Sequence, residues 1–407
     1  MEDLEAAESA YDDHADPSEA NHEPQESANV SAWDDGGDDD MDDDLGFDDD
    51  DGLGWGDDDG LDDLGDEFDT PEEEAKDDMD DLQDLNDDSL FQMPPAGRPP
   101  AGCWMANSSH AADHLAAGGS SSALQLLNRQ IAASNFAVMK KSIINSYIAC
   151  SASLPGVPGS VSLTIPLLRN DNDSHPGKDS LPRVPLSLKN LVTGVKLGYK
   201  AFQSGKFNDS KAAFNSVLLQ IPLVVTNNRN EANEVKEMLE ICREYITAIR
   251  IKGAMAEAVK NPARSTELSA YFTHCNLQPI HLLLALRSAM GTSFKHKNYI
   301  VAASFARRLL ELPDMSSERN ADLRVKATKV LQKSEQMARN EHTLNYDESS
   351  AFVLDCKDLV PITSSDTSVE CSYCGSRYLD ESMKGKICST CNLCVVGVNT
   401  IGLVTGS

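Results

Sequence analysis

Residues 197–222 read LGYKAFQSGKFNDSKAAFNSVLLQIP, and the placing of the glycines, phenylalanines and proline in this stretch decides the architecture. Leu197-Gly198, Gly205, Phe207, Phe214, Leu218 and Pro222 have the offsets of two helices folded back on each other through a tight turn. A small Gly lets the two helices approach, the aromatics fill the space between them, and the proline closes the second helix because it cannot continue one.

These are the offsets of a tetratricopeptide-type helix pair. Toward the C-terminus a long helix is expected over about 231–252, with Val235, Met238, Cys242, Tyr245 and Ile249 on one face. A weaker copy of the pair runs through Phe294, Tyr299, Ala302, Ala306, Leu309, Leu310 and Pro313. Two imperfect repeats are fewer than a free-standing solenoid needs, so a helical layer that requires a partner is the natural expectation.

Toward the N-terminus the period changes. Val161, Leu163, Ile165 and Leu167 alternate with Ser160, Ser162, Thr164 and Pro166, a polar loop from Asn170 to Gly177 follows, and Leu181 to Leu188 is apolar again. Residues 160–188 therefore read as a long-looped β-hairpin, held to edge positions by Pro166, Pro182 and Pro185. Ahead of it the helical period predicts helices over 120–132, with Ala123, Leu124, Leu127 and Ile131 inward, and over about 135–149, with Phe136, Met139, Ile143 and Tyr147 inward.

The chain of 407 residues carries a net charge of -31, but the acidity is local. Residues 1–90 hold 40 Asp/Glu against Lys76 alone, a net of -39, while the other 317 residues hold 26 acidic and 34 basic side chains, a net of +8. A segment so charged and so poor in apolar residues cannot offset its chain entropy by burial, and is expected to be a disordered linker extended by self-repulsion. The alternative is a linear docking motif around Trp33 or Trp55, each beside aspartates. Such a segment repels phosphate, which argues against nucleic acid. No apolar run is long enough to span a membrane and the N-terminus lacks a signal-peptide pattern, so a cytosolic protein is expected.

Five of the ten cysteines crowd into 371–394. Cys371-x-x-Cys374 and Cys388-x-x-Cys391 are separated by 13 residues, slightly under the commonest zinc-ribbon spacing but feasible for a short hairpin. Each pair brings two thiolates to one side of a tight turn, Gly375 suits the left-handed residue such a turn often contains, and two turns complete a tetrahedral S4 site for one structural Zn. Cys394 is a spare that can replace Cys391. The alternative is a set of reduced thiols in a packed hairpin.

Other tempting residues are weaker. Asp113-His114 and His274 near Tyr271 lack a nucleophile or a Gly-rich turn in context, and sequence adjacency does not make a triad, so hydrogen-bonded polar groups at helix ends are the plainer reading. Cys242 and Cys275 read as packing residues. Arg287, Lys295, Lys297, Arg307 and Arg308 make 285–308 basic: a solvated face, or a surface for an acidic partner or the chain's own tail.

Several blocks resemble a known family. Trp104-Met105-Ala106-Asn107-Ser108 with Asp113-His114 and Gly118, Ile241-Cys242-Arg243-Glu244-Tyr245-Ile246, Ala270-Tyr271-Phe272-Thr273-His274, Asn276-Leu277-Gln278-Pro279, Phe305 to Leu312 and Leu344-Asn345-Tyr346-Asp347 stand in the order found in the C-terminal domain of the coatomer (COPI coat) alpha-subunit family. The ending from Cys371 to Gly397 completes the set, and the resemblance covers about 91–404. It implies a non-enzymatic structural subunit of the COPI vesicle coat. It further implies binding to the tetratricopeptide-repeat epsilon subunit, whose ring of repeats grips a protruding hairpin, and to other coatomer subunits. Indirect association with Golgi membrane and a role in Golgi-to-ER and intra-Golgi transport follow from the same resemblance. The propellers that read cargo tails in that family are not in these residues, as expected of either a fragment or a truncated gene product. The rivals are a zinc-ribbon adaptor with an acidic activation or docking segment, and a metal-dependent hydrolase, which four closed cysteine ligands disfavour.

The expected fold is thus mainly α with a small β part. An acidic linker over 1–90 precedes a tetratricopeptide-like helical domain over 91–345 with an inserted hairpin at about 160–188. A small Cys-rich, zinc-ribbon-like β subdomain over 346–407 follows.

Overall fold

In the computed structural model, the structure describes residues 100–156, 159, 161–169 and 181–406. The acidic segment 1–90 and the loop over 170–180 lie outside the described residues. Helices α1 (Pro100–Asn107), α2 (Ala111–Ala116), α3 (Ser120–Ile131) and α4 (Lys140–Ala149) lead into strands β1 (Ser151–Leu154) and β2 (Leu163–Pro166). The helical layer follows as α5 (Leu188–Gln203), α6 (Phe207–Gln220), α7 (Arg229–Glu257), α8 (Pro262–Phe272), α9 (Pro279–Lys295), α10 (Tyr299–Leu310) and α11 (Ala321–Met337). Short strands β3 (Val353–Leu354), β4 (Pro361–Ile362), β5 (Val369–Glu370) and β6 (Arg377–Tyr378) close the chain.

The α5–α6 pair forms where its spacing predicts. An added Cβ at Gly198 would lie 2.7 Å from Phe214 Cζ, so the helix backbone runs directly over that ring. The Ser210 hydroxyl donates to the Gly198 carbonyl at 2.9 Å across the same contact. The long helix α7 begins at Asn228, whose side chain accepts from the Glu231 N–H, and it buries Val235, Met238, Cys242, Tyr245 and Ile249, the face its periodicity indicated. The weaker second pair is α9–α10. Its neighbour α11 runs antiparallel to α10, since Tyr299 N–H donates to Arg339 O and Glu341 N–H to Lys297 O. Among the described residues no helix is long and apolar enough to cross a membrane.

Two expectations need correction. The strand at 163–166 pairs backward with Ser151–Leu154, register Leu154↔Leu163 to Ser151↔Pro166, rather than forward with 181–188. Among the described residues the forward pairing is limited to Arg169 N–H to Leu181 O, Arg183 N–H to Leu167 O and a bridge at Leu168↔Pro182. Pro182 and Pro185 lack the N–H a ladder needs, and Leu188 already opens α5. In α4, Tyr147 is exposed and Ser146 takes the buried position. The first turn there is a 3-10 turn over Phe136–Met139, whose tighter winding rotates the later residues off the predicted stripe.

Candidate metal centre and protruding hairpin

The C-terminal turns build one site. Cys371 N–H donates to Ser376 O and Gly375 N–H to Cys371 O, with Gly375 at φ 68°, so the chain doubles back just after Cys374. The second turn repeats this with Asn392 N–H on Cys388 O and Asn392 at φ 54°. Asn tolerates the left-handed region better than other non-glycine residues. Together the turns bring the sulfurs of Cys371, Cys374, Cys388 and Cys391 within 4.8 Å of one another, all buried. Cys371 and Cys391 Sγ lie 4.0 Å apart, Cys374 and Cys388 Sγ 3.5 Å. A tetrahedron with metal–sulfur bonds of ~2.3 Å has edges of ~3.8 Å, a value the two separations bracket.

Polar and cationic groups surround the sulfurs. The Tyr378 hydroxyl stands 3.2 Å from Cys388 Sγ while accepting from Ser389 N–H, so its own proton is available to the sulfur. The Ser376 hydroxyl stands 3.2 Å from Cys374 Sγ. Arg243 reaches the Cys374 carbonyl and Arg250 the Ser389 hydroxyl, which brings positive charge toward the cluster. Sulfur hydrogen bonds from Cys374 and then Cys388 drive the Cys371 thiol far below its usual range, and the bond with Cys371 holds the proton of Cys374. Cys394 is fully buried beside the cluster but outside the set of four.

A feature of this end was not visible as a motif. The β3–β4 hairpin and the β5–β6 hairpin have the same register, offset by 16 residues at each paired position: Val353↔Ile362 and Leu354↔Pro361 against Val369↔Tyr378 and Glu370↔Arg377. Asp355 N–H donates to Val360 O and Leu359 N–H to Asp355 O, the pattern of the Cys371 turn, and Leu359 sits at φ 54° where that turn has Gly375. The ligand positions of this copy hold Asp355 and Asp358. The Asp355 carboxylate is fully buried and accepts from Lys357, Asp358 and Leu379 N–H at 2.7, 2.6 and 2.6 Å. It orders the turn through these three backbone N–H groups.

The Cys-rich end is continuous with the helices. Its buried cysteines share one apolar cluster with Leu127, Phe214, Leu218, Val235 and Cys242. Ser134 and Asn135 N–H donate to Leu393 O, Val395 N–H donates to Ala132 O at the end of α3, and the Tyr373 hydroxyl donates to Leu218 O.

The tempting acid–base residues are structural. His114 has both ring nitrogens engaged, Nδ1 with the Ser122 hydroxyl at 2.8 Å and Nε2 with Ser108 O at 2.9 Å. The fully buried Asp113 pairs with Arg169 and accepts from the Ser108 hydroxyl. His274 Nε2 lies 2.8 Å from the Tyr346 hydroxyl. Cys242 and Cys275 are buried, and burial pushes both thiols up, away from reactivity.

The β1–β2 hairpin is the opposite kind of surface. Leu154, Leu163 and Ile165 are exposed along it, and Val161 in its loop is 90% exposed. Alternating apolar residues on an open two-stranded ribbon are a surface made to be covered.

A family model described as the C-terminus of the coatomer (COPI) alpha subunit matches residues 3–407. Coatomer subunit alpha-1 of Arabidopsis thaliana is 38% identical over 322 residues, covering 78% of this chain and 26% of that protein. Coatomer subunit alpha of Dictyostelium discoideum is 38% identical over 326 residues, 77% of this chain and 25% of that protein. The Saccharomyces cerevisiae coatomer subunit alpha is 29% identical over 312 residues, 76% and 25% respectively. The chain thus spans about a quarter of the length of these relatives.

Proposed function

This chain belongs to the family formed by the C-terminal part of coatomer (COPI) alpha subunits, and from that premise we propose that it is a structural assembly module of the COPI coat that binds the epsilon subunit. The observation that carries the reading is the β1–β2 hairpin, on which Leu154, Val161, Leu163 and Ile165 face solvent together on one short ribbon. A ring of tetratricopeptide repeats offers the apolar channel that such a ribbon fills. Coat assembly with other coatomer subunits, peripheral association with Golgi membrane, and Golgi-to-ER and intra-Golgi transport belong to the same proposal. The hairpin's position is supported by the ion pair between Arg169, just past β2, and the buried Asp113 of α2.

The Cys371, Cys374, Cys388 and Cys391 set is proposed to hold one zinc ion. Four thiolates close the coordination sphere, so the metal's contribution is to staple the two turns together rather than to activate water. The helical domain, the acidic linker and the Cys-rich end keep the proposed boundaries 1–90, 91–345 and 346–407, with the last packed on the second through the shared core.

The test is co-purification of the tagged chain with epsilon subunit. Leu163→Asp with Ile165→Asp is expected to abolish it while circular dichroism and the melting temperature stay at parental values, because both side chains are exposed. A folded double variant that binds undiminished would remove the hairpin from the interface.

A further inference from the structure

We propose that Thr367, in the loop between β4 and β5, is a phosphorylation site for an acidophilic Ser/Thr protein kinase. The inference depends neither on epsilon binding nor on a metal at the cysteines.

Acidophilic kinases offer a cationic cleft to an extended substrate segment and read a carboxylate three residues after the acceptor hydroxyl. Along residues 100–407 a Ser or Thr is followed by Asp or Glu at that spacing only twice. The two copies stand back to back, Thr363-Ser364-Ser365-Asp366 and Thr367-Ser368-Val369-Glu370. Residues 363–368 are all exposed.

The structure separates the two copies. The first is closed on itself: the Thr363 hydroxyl and N–H both donate to one oxygen of Asp366, each at 2.7 Å, and Asp366 N–H returns to Thr363 O at 3.1 Å. The carboxylate a kinase must read is held against the acceptor hydroxyl, and an extended pose requires that turn to open. The second copy is open. Thr367 and Ser368 make no hydrogen bond among the described residues, and both stand in solvent. Glu370 lies in β5, where the backbone is already extended, and its side chain is 53% exposed. Its ion pair with Arg377 is long, at 3.5 Å, and a surface pair of this kind contributes too little to resist a cationic cleft. Beyond Glu370 the chain is fixed by Gly397 N–H on Glu370 O and Cys371 N–H on Ser376 O, so the docked segment ends there. Hydroxyl and carboxylate are thus presented without unfolding anything buried.

In the transfer, Thr367 Oγ1 forms a bond to the γ-phosphorus of ATP as the bond to the β–γ bridging oxygen breaks. ADP leaves with that electron pair, and the hydroxyl proton passes to the catalytic carboxylate of the kinase. The product adds about −1.5 to −2 charge. It does so between Asp366 and Glu370, in a stretch with no Lys or Arg from Asp358 to Ser376. The Cys-rich end thereby gains a strongly anionic mark on a folded part whose sequence is otherwise net basic.

The test is incubation of the native full chain with casein kinase II and ATP, with phosphate located by fragment-ion mass spectrometry. The tryptic peptide ending at Arg377 is expected to carry one phosphate, on Thr367. Thr367→Ala should remove it, Glu370→Gln should slow its formation severalfold, and Asp366→Asn should keep most of the parent rate. Glu370→Asp, which retains the charge, should also keep most of that rate, separating the reading of a carboxylate from any change in fold. Phosphate confined to residues 1–90, phosphate on Thr363 in place of Thr367, or incorporation that begins only once urea has unfolded the chain would each overturn the proposal. An undiminished rate in Glu370→Gln would do the same.

Discussion

Arg169 reaches from the chain just past strand β2 to the fully buried carboxylate of Asp113 on α2, and this ion pair ties the base of the exposed hairpin to the helical core. The Ser108 hydroxyl occupies the second carboxylate oxygen at 2.6 Å.

Removing only the cation strands a buried charge. Arg169→Met is expected to destabilise the fold by ~3–5 kcal/mol, and Asp113→Asn in the same chain should restore most of that loss. Chemical denaturation midpoints of the two single variants and the double variant decide it. Additive losses would show that the pair does not couple hairpin to core.

The metal has a direct readout. Elemental analysis of the purified chain is expected to give about one zinc per molecule, the stoichiometry of a closed four-cysteine site. Cys371→Ser should lose the ion and raise amide exchange over residues 369–396 while α7 and α10 stay protected. Cys394→Ser should keep the ion, since Cys394 lies outside the set of four sulfurs. Loss of zinc in Cys394→Ser would transfer the fourth ligand from Cys391.

The second copy of the turn depends on its carboxylate. Asp355→Ala leaves three N–H groups without their acceptor, a loss on the order of 3 kcal/mol. Exchange should quicken over 353–362 without loss of zinc. If zinc leaves together with the turn, the two copies form one cooperative unit rather than two.

His281 supplies a pH dependence. Its ring is fully buried beside Phe202 and Tyr245, its Nδ1 meets the Tyr245 hydroxyl at 2.7 Å, and burial pushes it down to about 4. The unfolded chain takes up this proton near 6.5 and the folded chain only near 4, so in that window the unfolded state binds more protons and stability falls as pH falls. The contribution is complete above about pH 6.5 and gone below about pH 4, and its size is about 3 kcal/mol. His281→Phe should flatten the stability profile across that window. A parent profile with the same slope as the variant's would assign the acid sensitivity elsewhere.

Gly198 offers a packing test with opposing terms. Alanine favours a helix interior by ~1 kcal/mol over glycine, but a Cβ here would sit 2.7 Å from the Phe214 ring. Overpacking of this kind typically costs ~1–3 kcal/mol, so Gly198→Ala is expected to lower the melting temperature. Gly198→Ala with Phe214→Leu should recover part of it.

Much of this molecule was readable from spacing alone, because helix periodicity and close-packing residues act locally. Gly198, Phe214 and the buried face of α7 follow from offsets within two or three turns, and Cys-x-x-Cys is legible because a knuckle is built from adjacent residues. The partner of β2 was not legible. Strand pairing is a competition between segments, and only the folded chain shows Ser151–Leu154 taking the edge that prolines deny to 181–188. Nor was the second copy of the knuckle, because Asp355 and Asp358 carry none of the cysteine signal and the likeness lies in hydrogen bonds and a left-handed Leu359. The sequence by itself determined which residues form helices and which thiols can meet a metal. The tertiary structure decided that the Cys-rich end shares the helical core, through Tyr373 on Leu218 and Leu393 on Ser134 and Asn135, since contacts between residues more than a hundred positions apart leave no local period to read.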